Sequence, residues 1–269
     1  MSWFPDGMTI TAALCQFTPV PGDVETNCQR VLDTIELRKA DLLIFPELFL
    51  TGYSAGERAT ELIPAVEEAA RRIHAAALET ECVVVCGMPE EGGLSGVIYN
   101  AALVAGLPDE GPSTYRKIHL PNFGIFKEKA WFAHGEDVPV FTVGDMTFGV
   151  AVCYDIFFPE VYRAMVLQGA DIVITISASP TQSRKLFERM APARAIETTC
   201  YHLYVNYVGD DGDLSFWGGS RAVSPLGDEL VVAPVGEDGI ETVELDLERV
   251  RADRQTRPVL RDVLLQTES

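Results

Sequence analysis

The sequence predicts an α/β protein whose sheets carry helices on their outer faces. Three observations lead there. Apolar runs of strand length alternate with stretches of helical periodicity, hairpin signals are interposed between them, and the two halves share a β-α-β-α-β rhythm. No Pro-, Gly- or Ser-rich linker divides the 269 residues, so one domain over 1–269 is expected.

Taken in order, "TITAALCQF" is an apolar run bounded by polar residues and reads as a strand, and 23–39 has the helical period. "ADLLIF" follows as a strand, 60–80 as a helix and "CVVVCGM" as a strand. "GVIYNAALVA" and "STYRKIHL" extend the strand-rich stretch. The second half begins with "PVFTVGDMTFGVAVC", a hairpin around Gly144-Asp145. Helix 158–169, strand "DIVITIS", helix 183–199 and strand "YHLYVNYV" come next. "GGSRAVSPLGDELVVAP" closes the series as a hairpin turning on Pro225-Leu226-Gly227-Asp228.

Composition excludes several classes of function. A net charge of −19 opposes nucleic acid and anionic membrane partners, which need basic surfaces, and reads as a well-solvated exterior. No apolar run approaches the ~20 residues of a membrane span. "MSWFPDGMTI" lacks the pattern of a signal peptide, so a soluble, cytoplasmic protein with reduced thiols is expected. Cys82 and Cys86 flank "VVV" on one face of a strand, but no second pair accompanies them. The four histidines are scattered, so neither a metal nor another cofactor is expected.

"GVAVCYDIFFPE" at 149–160 holds the first chemical signal. Residue type alone favours burial of Cys153. Its position argues otherwise, since strand-to-helix turns are where α/β proteins display nucleophiles. A helix N-terminus there favours the thiolate and can hold an oxyanion. Two other strand ends carry unexpected charge: Glu47 in "LLIFPEL" and Lys117 in "TYRKIHLP". Singly, a carboxylate can cap the next helix and a lysine can snorkel to water. With a thiol they form a set suited to acyl transfer, the carboxylate as general base and the ammonium as oxyanion partner.

"FPEL" at 45–48, "YRKIHLP" at 115–121 and "CYDIFFPE" at 153–160 occur in that order, with Glu47, Lys117 and Cys153 spaced 70 and 36 residues apart. Together they resemble the nitrilase superfamily of carbon–nitrogen hydrolases, and the likeness runs from "ALCQFTPVPGDVETN" to "GGSRAVSPLGDEL". The resemblance implies a four-layer α-β-β-α sandwich with Glu47 as base, Lys117 as oxyanion stabiliser and Cys153 as nucleophile. It also implies that Glu128, in "FGIFKEKAWFAHG", orients the amide and tunes the lysine. Tyr53, Tyr154, Phe157, Ser177 and Ala178 fall where the family contacts substrate. Pairing into a homodimer or larger homo-oligomer through helices 158–169 and 183–199 is implied as well. Val161, Met165 and Val166 exceed what one core-facing stripe requires, which suits such a face.

Tyr154-Asp155 follows the cysteine where true nitrilases of the family carry Trp-Glu, so an amidase is the expected branch. Ile156-Phe157-Phe158 stands where carbamoylases carry arginines for a substrate carboxylate, which points to small neutral amides such as propionamide or butyramide. Alternatives are an ω-amidase or N-carbamoyl amidohydrolase, with Arg221 or another distant arginine as the cation; a nitrilase; a Cys-His hydrolase using His119 or His134; and a non-catalytic scaffold.

Overall fold

Strands and helices alternate largely as the apolar pattern predicts, in a computed structural model that describes residues 9–37, 40–108 and 111–267. The first half runs β1 (Thr9–Gln16), α1 (Val24–Leu37), β2 (Leu42–Ile44), α2 (Ala59–Glu79), β3 (Val83–Glu91), β4 (Ile98–Ala105) and β5 (Ser113–Arg116). The second runs α3 (Glu128–Trp131), β6 (Val140–Val143), β7 (Met146–Val152), α4 (Pro159–Leu167), β8 (Ile172–Ser177), α5 (Arg184–Thr198) and β9 (Tyr201–Asn206). It continues through β10 (Val208–Asp211), β11 (Leu214–Trp217), β12 (Arg221–Val223), β13 (Glu229–Val232) and β14 (Gly239–Asp246) to α6 (Leu247–Thr256) and α7 (Val259–Thr267). The last two residues of the helix expected over 23–39, and the opening residues 1–8, lie outside the described residues.

Two six-stranded sheets result, in the orders β14-β1-β2-β3-β4-β5 and β13-β12-β9-β8-β7-β6. In each, three successive parallel strands joined by helices form the centre and antiparallel strands form the edges. The shared rhythm of the two halves is therefore a shared topology. Alternation along the strands builds the layers. Ile10, Ala12, Leu14, Leu42, Ile44, Val83 and Val85 point into a core continuous with the second sheet, α4 and α5. Ala13, Cys15, Leu43, Val84 and Cys86 point the other way, against α1 and α2. Helices thus cover the outer face of each sheet, as expected. Cys82 and Cys86 share the helix-facing side, both buried.

Several sequence expectations are corrected. Val161, Met165 and Val166 are all buried in the protein's own core and supply no surplus apolar face. Gly149 explains why: a Cβ there would lie 2.5 Å from Met165 Cγ, so only glycine lets α4 settle this closely on β7. The strand expected over 201–208 breaks at Asn206, whose amide bonds Ser179 O and Gly218 O, and β10 leaves the sheet to pair with β11. β14, α6 and α7 were not anticipated; "GIETVELD" alternates, but its charged residues mask an edge strand pairing with β1. Among the described residues no helix is long and apolar enough to cross a membrane.

Candidate active site

Four strand ends converge where the sheets face each other. Cys153 begins a five-residue 3-10 turn between β7 and α4, with φ at 46°, a left-handed conformation that costs a non-glycine residue about 1 kcal/mol or more. Asp155 holds that turn: its Oδ2 accepts from Val152 N at 3.1 Å and from Tyr115 Oη at 2.8 Å. Its Oδ1 accepts from His119 N at 2.9 Å and meets His119 Nδ1 at 2.8 Å. Tyr115 and His119 bracket Lys117, so one buried carboxylate ties the nucleophile turn to the lysine segment.

Glu47 follows Pro46 beyond β2, in a turn pressed against β3. Gly87 N donates to Pro46 O at 3.0 Å, and Leu50 N donates to Gly87 O at 3.1 Å. A Cβ on Gly87 would lie 2.2 Å from Leu48 N, so the approach requires glycine. Lys117 leaves β5 with its N–H on Asn100 O at 2.8 Å, and Glu128 opens α3.

These groups form one buried network. Lys117 Nζ donates to Glu47 Oε1 at 2.7 Å and to Glu128 at 2.8–2.9 Å. Glu47 Oε1 also accepts from Asn100 Nδ2 at 2.7 Å, and its Oε2 accepts from Ala178 N at 2.7 Å. Tyr53 Oη donates to Glu128 Oε1 at 2.9 Å. Burial pulls the lysine down, but the carboxylates of Glu128 and Glu47 outweigh it and hold the ammonium charged well above its ordinary value. Burial, with Glu47 adding and Lys117 opposing, raises the Glu128 carboxyl to about 7. The ammonium, with Nζ within 2.9 Å of Glu47 Oε1 and of both Glu128 oxygens, supplies the positive charge of the network.

The thiol differs from the sequence expectation. Burial first, then the nearby Glu47 carboxylate, raises the Cys153 pKa well above its ordinary value, while Lys117 and the Ser177 hydroxyl draw it down less. One 3-10 turn cannot offset that desolvation, so the resting group is a protonated thiol. Attack then requires a base, and Glu47 is present beside it.

Cys153 opens into a cavity of about 370 Å³. Tyr154 and Phe157 line it. Ile156 does not; it belongs to the core, and Phe158 stacks on His119 at 3.4 Å, because a turn of about three residues fans successive side chains apart. Ser177, Ala178 and Tyr53 are buried behind the site, where Ala178 and Tyr53 position the two glutamates. Arg221 lies away from the cavity, paired with Glu229 and bonded to Gly219 O at 3.1 Å. His119 is committed to Asp155 and Phe158, His134 Nδ1 lies at Gly135 O, and the charged groups acting on the thiol are Glu47, Lys117 and Glu128, so among the described residues no Cys-His pair is seen. Asn100 and Asp155 were missed as positioning residues, although Asn100 is the lone polar side chain in the apolar run of β4. Among the described residues no group of three or more metal-ligating side chains occurs.

Comparison with known proteins agrees with this geometry. Residues 11–255 match the family described as "Carbon-nitrogen hydrolase". A "Hydrolase in pqqF 5'region" of Pseudomonas protegens is 33% identical over 85% of the chain and 80% of its own length. Relatives of similar identity are named nitrilase (Pyrococcus abyssi, 33%) and (R)-stereoselective amidase (Pseudomonas sp, 32%). A glutamine-dependent NAD(+) synthetase of Aquifex aeolicus is 31% identical, but the chain spans 44% of its length. Among solved structures, a variant of the amidase from Nesterenkonia sp. AN1 superposes with TM-score 0.79 at 30% identity, covering 94% of this chain and 96% of that one. It shows covalent addition of the acetamide moiety of fluoroacetamide at its active site cysteine.

Proposed function

Since the chain belongs to the carbon–nitrogen hydrolase family, we propose that it is a thiol-dependent amidase cleaving uncharged primary amides to carboxylic acid and ammonia. The observation that carries this is the buried Glu47–Lys117–Glu128 network beside the buried Cys153 thiol.

In the first half-reaction Glu47 takes the thiol proton as sulfur attacks the amide carbon. The Lys117 ammonium meets the developing oxyanion, a fixed charge in a dry site that needs little reorganisation. Collapse of the tetrahedral intermediate breaks the C–N bond, and Glu47 returns the proton to the departing nitrogen, leaving a thioester on Cys153. In the second half-reaction Glu47 takes a proton from water. The resulting hydroxide adds to the thioester, Lys117 again meets the oxyanion, and the thiolate leaves and recovers the proton. Glu128 keeps the lysine oriented and charged throughout.

That none of the described residues lining the cavity carries a charge supports uncharged acyl groups over ω-amido acids, carbamoyl amino acids or glutamine, whose carboxylate would be buried unpaired at a cost of several kcal/mol. Homodimerisation through α4 and α5 belongs to the same proposal, with exposed Leu167 and Ile196 on those helices in the joint. Ammonia release from butyramide, glutaramate, N-carbamoyl amino acids and butyronitrile tests the chemistry. Butyramide is expected to be cleaved fastest; preference for glutaramate would move the assignment to an ω-amidase.

A further inference from the structure

Five aromatic rings form a continuous wall beside the nucleophile. Phe126 meets Phe123 edge to face with centroids 5.5 Å apart, Phe123 meets Tyr154 at 5.5 Å, Tyr154 meets Phe157 at 5.6 Å, and Phe157 meets Phe187 at 5.4 Å. All five border the 370 Å³ cavity that holds the Cys153 thiol. Of its lining residues Phe123 is 55% exposed and Leu186 53% exposed, large apolar groups left to water where the cavity opens. Apolar surface gathered at one opening marks a place that a ligand covers.

Volume narrows the ligand. At roughly 30 Å³ per heavy atom, the share that one water takes in the liquid, the cavity holds about twelve heavy atoms. Butyramide fills about half of that, and 3-phenylpropionamide nearly all of it. A short acyl chain leaves much of the aromatic wall wet or uncovered. A ring on the acyl chain meets edges and faces at the separations aromatic pairs favour, and it is held there while the thioester forms.

We propose that these rings are an acyl subsite for bulky uncharged groups, arylalkyl or medium-chain aliphatic, so that the preferred substrates are larger than the short amides the sequence suggests. This rests on the amidase reading above. Binding of the remote ring acts on kcat/KM because it is fixed to the reacting carbonyl.

The test is kcat/KM for 3-phenylpropionamide, hexanamide and butyramide, read by ammonia release. At least about a tenfold advantage of 3-phenylpropionamide over butyramide is expected, with hexanamide between them. Leu186→Asp places a carboxylate at the mouth without disturbing the core, and the ratio should fall severalfold; an unchanged ratio contradicts a subsite reaching Leu186. If butyramide is cleaved and 3-phenylpropionamide is no better, the subsite is overturned while the amidase reading stands. If none of the three releases ammonia, the amidase reading falls and the subsite with it.

Discussion

Replacing Glu128 by glutamine removes one negative charge from a buried network that holds two carboxylates against one ammonium. In the native protein that carboxyl titrates at about 7 instead of 4.5, mainly through burial, with Glu47 reinforcing and Lys117 opposing. The folded state therefore binds this proton more tightly than the unfolded chain does. The stability it contributes is complete below the unfolded value and is lost as pH rises through about 7. The loss amounts to about 3 kcal/mol across that window, at about 1.4 kcal/mol for each tenfold change in proton affinity. Urea unfolding of both proteins at pH 5 and pH 8 reads it, because groups outside the Glu47–Lys117–Glu128 network cancel in the difference. Wild-type stability relative to Glu128→Gln should fall by about 2–3 kcal/mol between those two pH values. The same ionisation places a second carboxylate on Lys117 and strengthens Glu47 as a base. Wild-type kcat/KM should therefore rise through about pH 7, a limb the variant lacks. Parallel stability profiles and an unchanged limb would refute the reasoning.

Two further substitutions probe the other groups. Lys117→Ala and Lys117→Arg should each lower kcat/KM by at least ~10², because the first lacks the oxyanion partner and the planar fork of the second does not fit an ammonium's place. Urea unfolding should show the alanine variant about 3–5 kcal/mol less stable, since two buried carboxylates lose their counter-charge; a near-normal rate in Lys117→Arg would remove the lysine from the mechanism. Asp155→Asn replaces an acceptor facing Val152 N and Tyr115 Oη by a donor. It should lower kcat by ~10² with little change in KM, and Asp155→Glu should not rescue it. A stability loss with full kcat in the folded fraction would make Asp155 merely structural.

Much of this was legible in the sequence because local pattern and global fold agree. Period-two alternation in "TITAALCQ" and "CVVVCGM" survives as two faces with separate cores, and the turns at Gly144 and Pro225–Asp228 form where predicted. Glu47, Lys117 and Cys153 stood out because charge and thiol at strand ends break an apolar pattern, and Lys117 meets Glu47 across 70 residues of sequence. Glu128 did not stand out on its own, since between Lys127 and Lys129 it reads as a solvated acid. Only the fold buries it. What stayed hidden depends on tertiary geometry. Asp155 is an acid in a turn until its four contacts are seen, the thiol's protonation follows from burial that no spacing encodes, and the apolar surplus of α4 vanishes once Gly149 admits Met165.

The central claim is that Cys153 carries the acyl group between two half-reactions. Turnover of butyramide or 3-phenylpropionamide quenched with acid, followed by mass spectrometry of proteolytic fragments, tests it most directly. The account predicts a mass increase equal to the acyl group minus one hydrogen on the fragment holding Cys153, much slower to form in Glu47→Gln because the thiol loses the base that activates it, and absent in Cys153→Ala together with all turnover. Continued turnover in Cys153→Ala, or acyl mass on a different fragment, would contradict it.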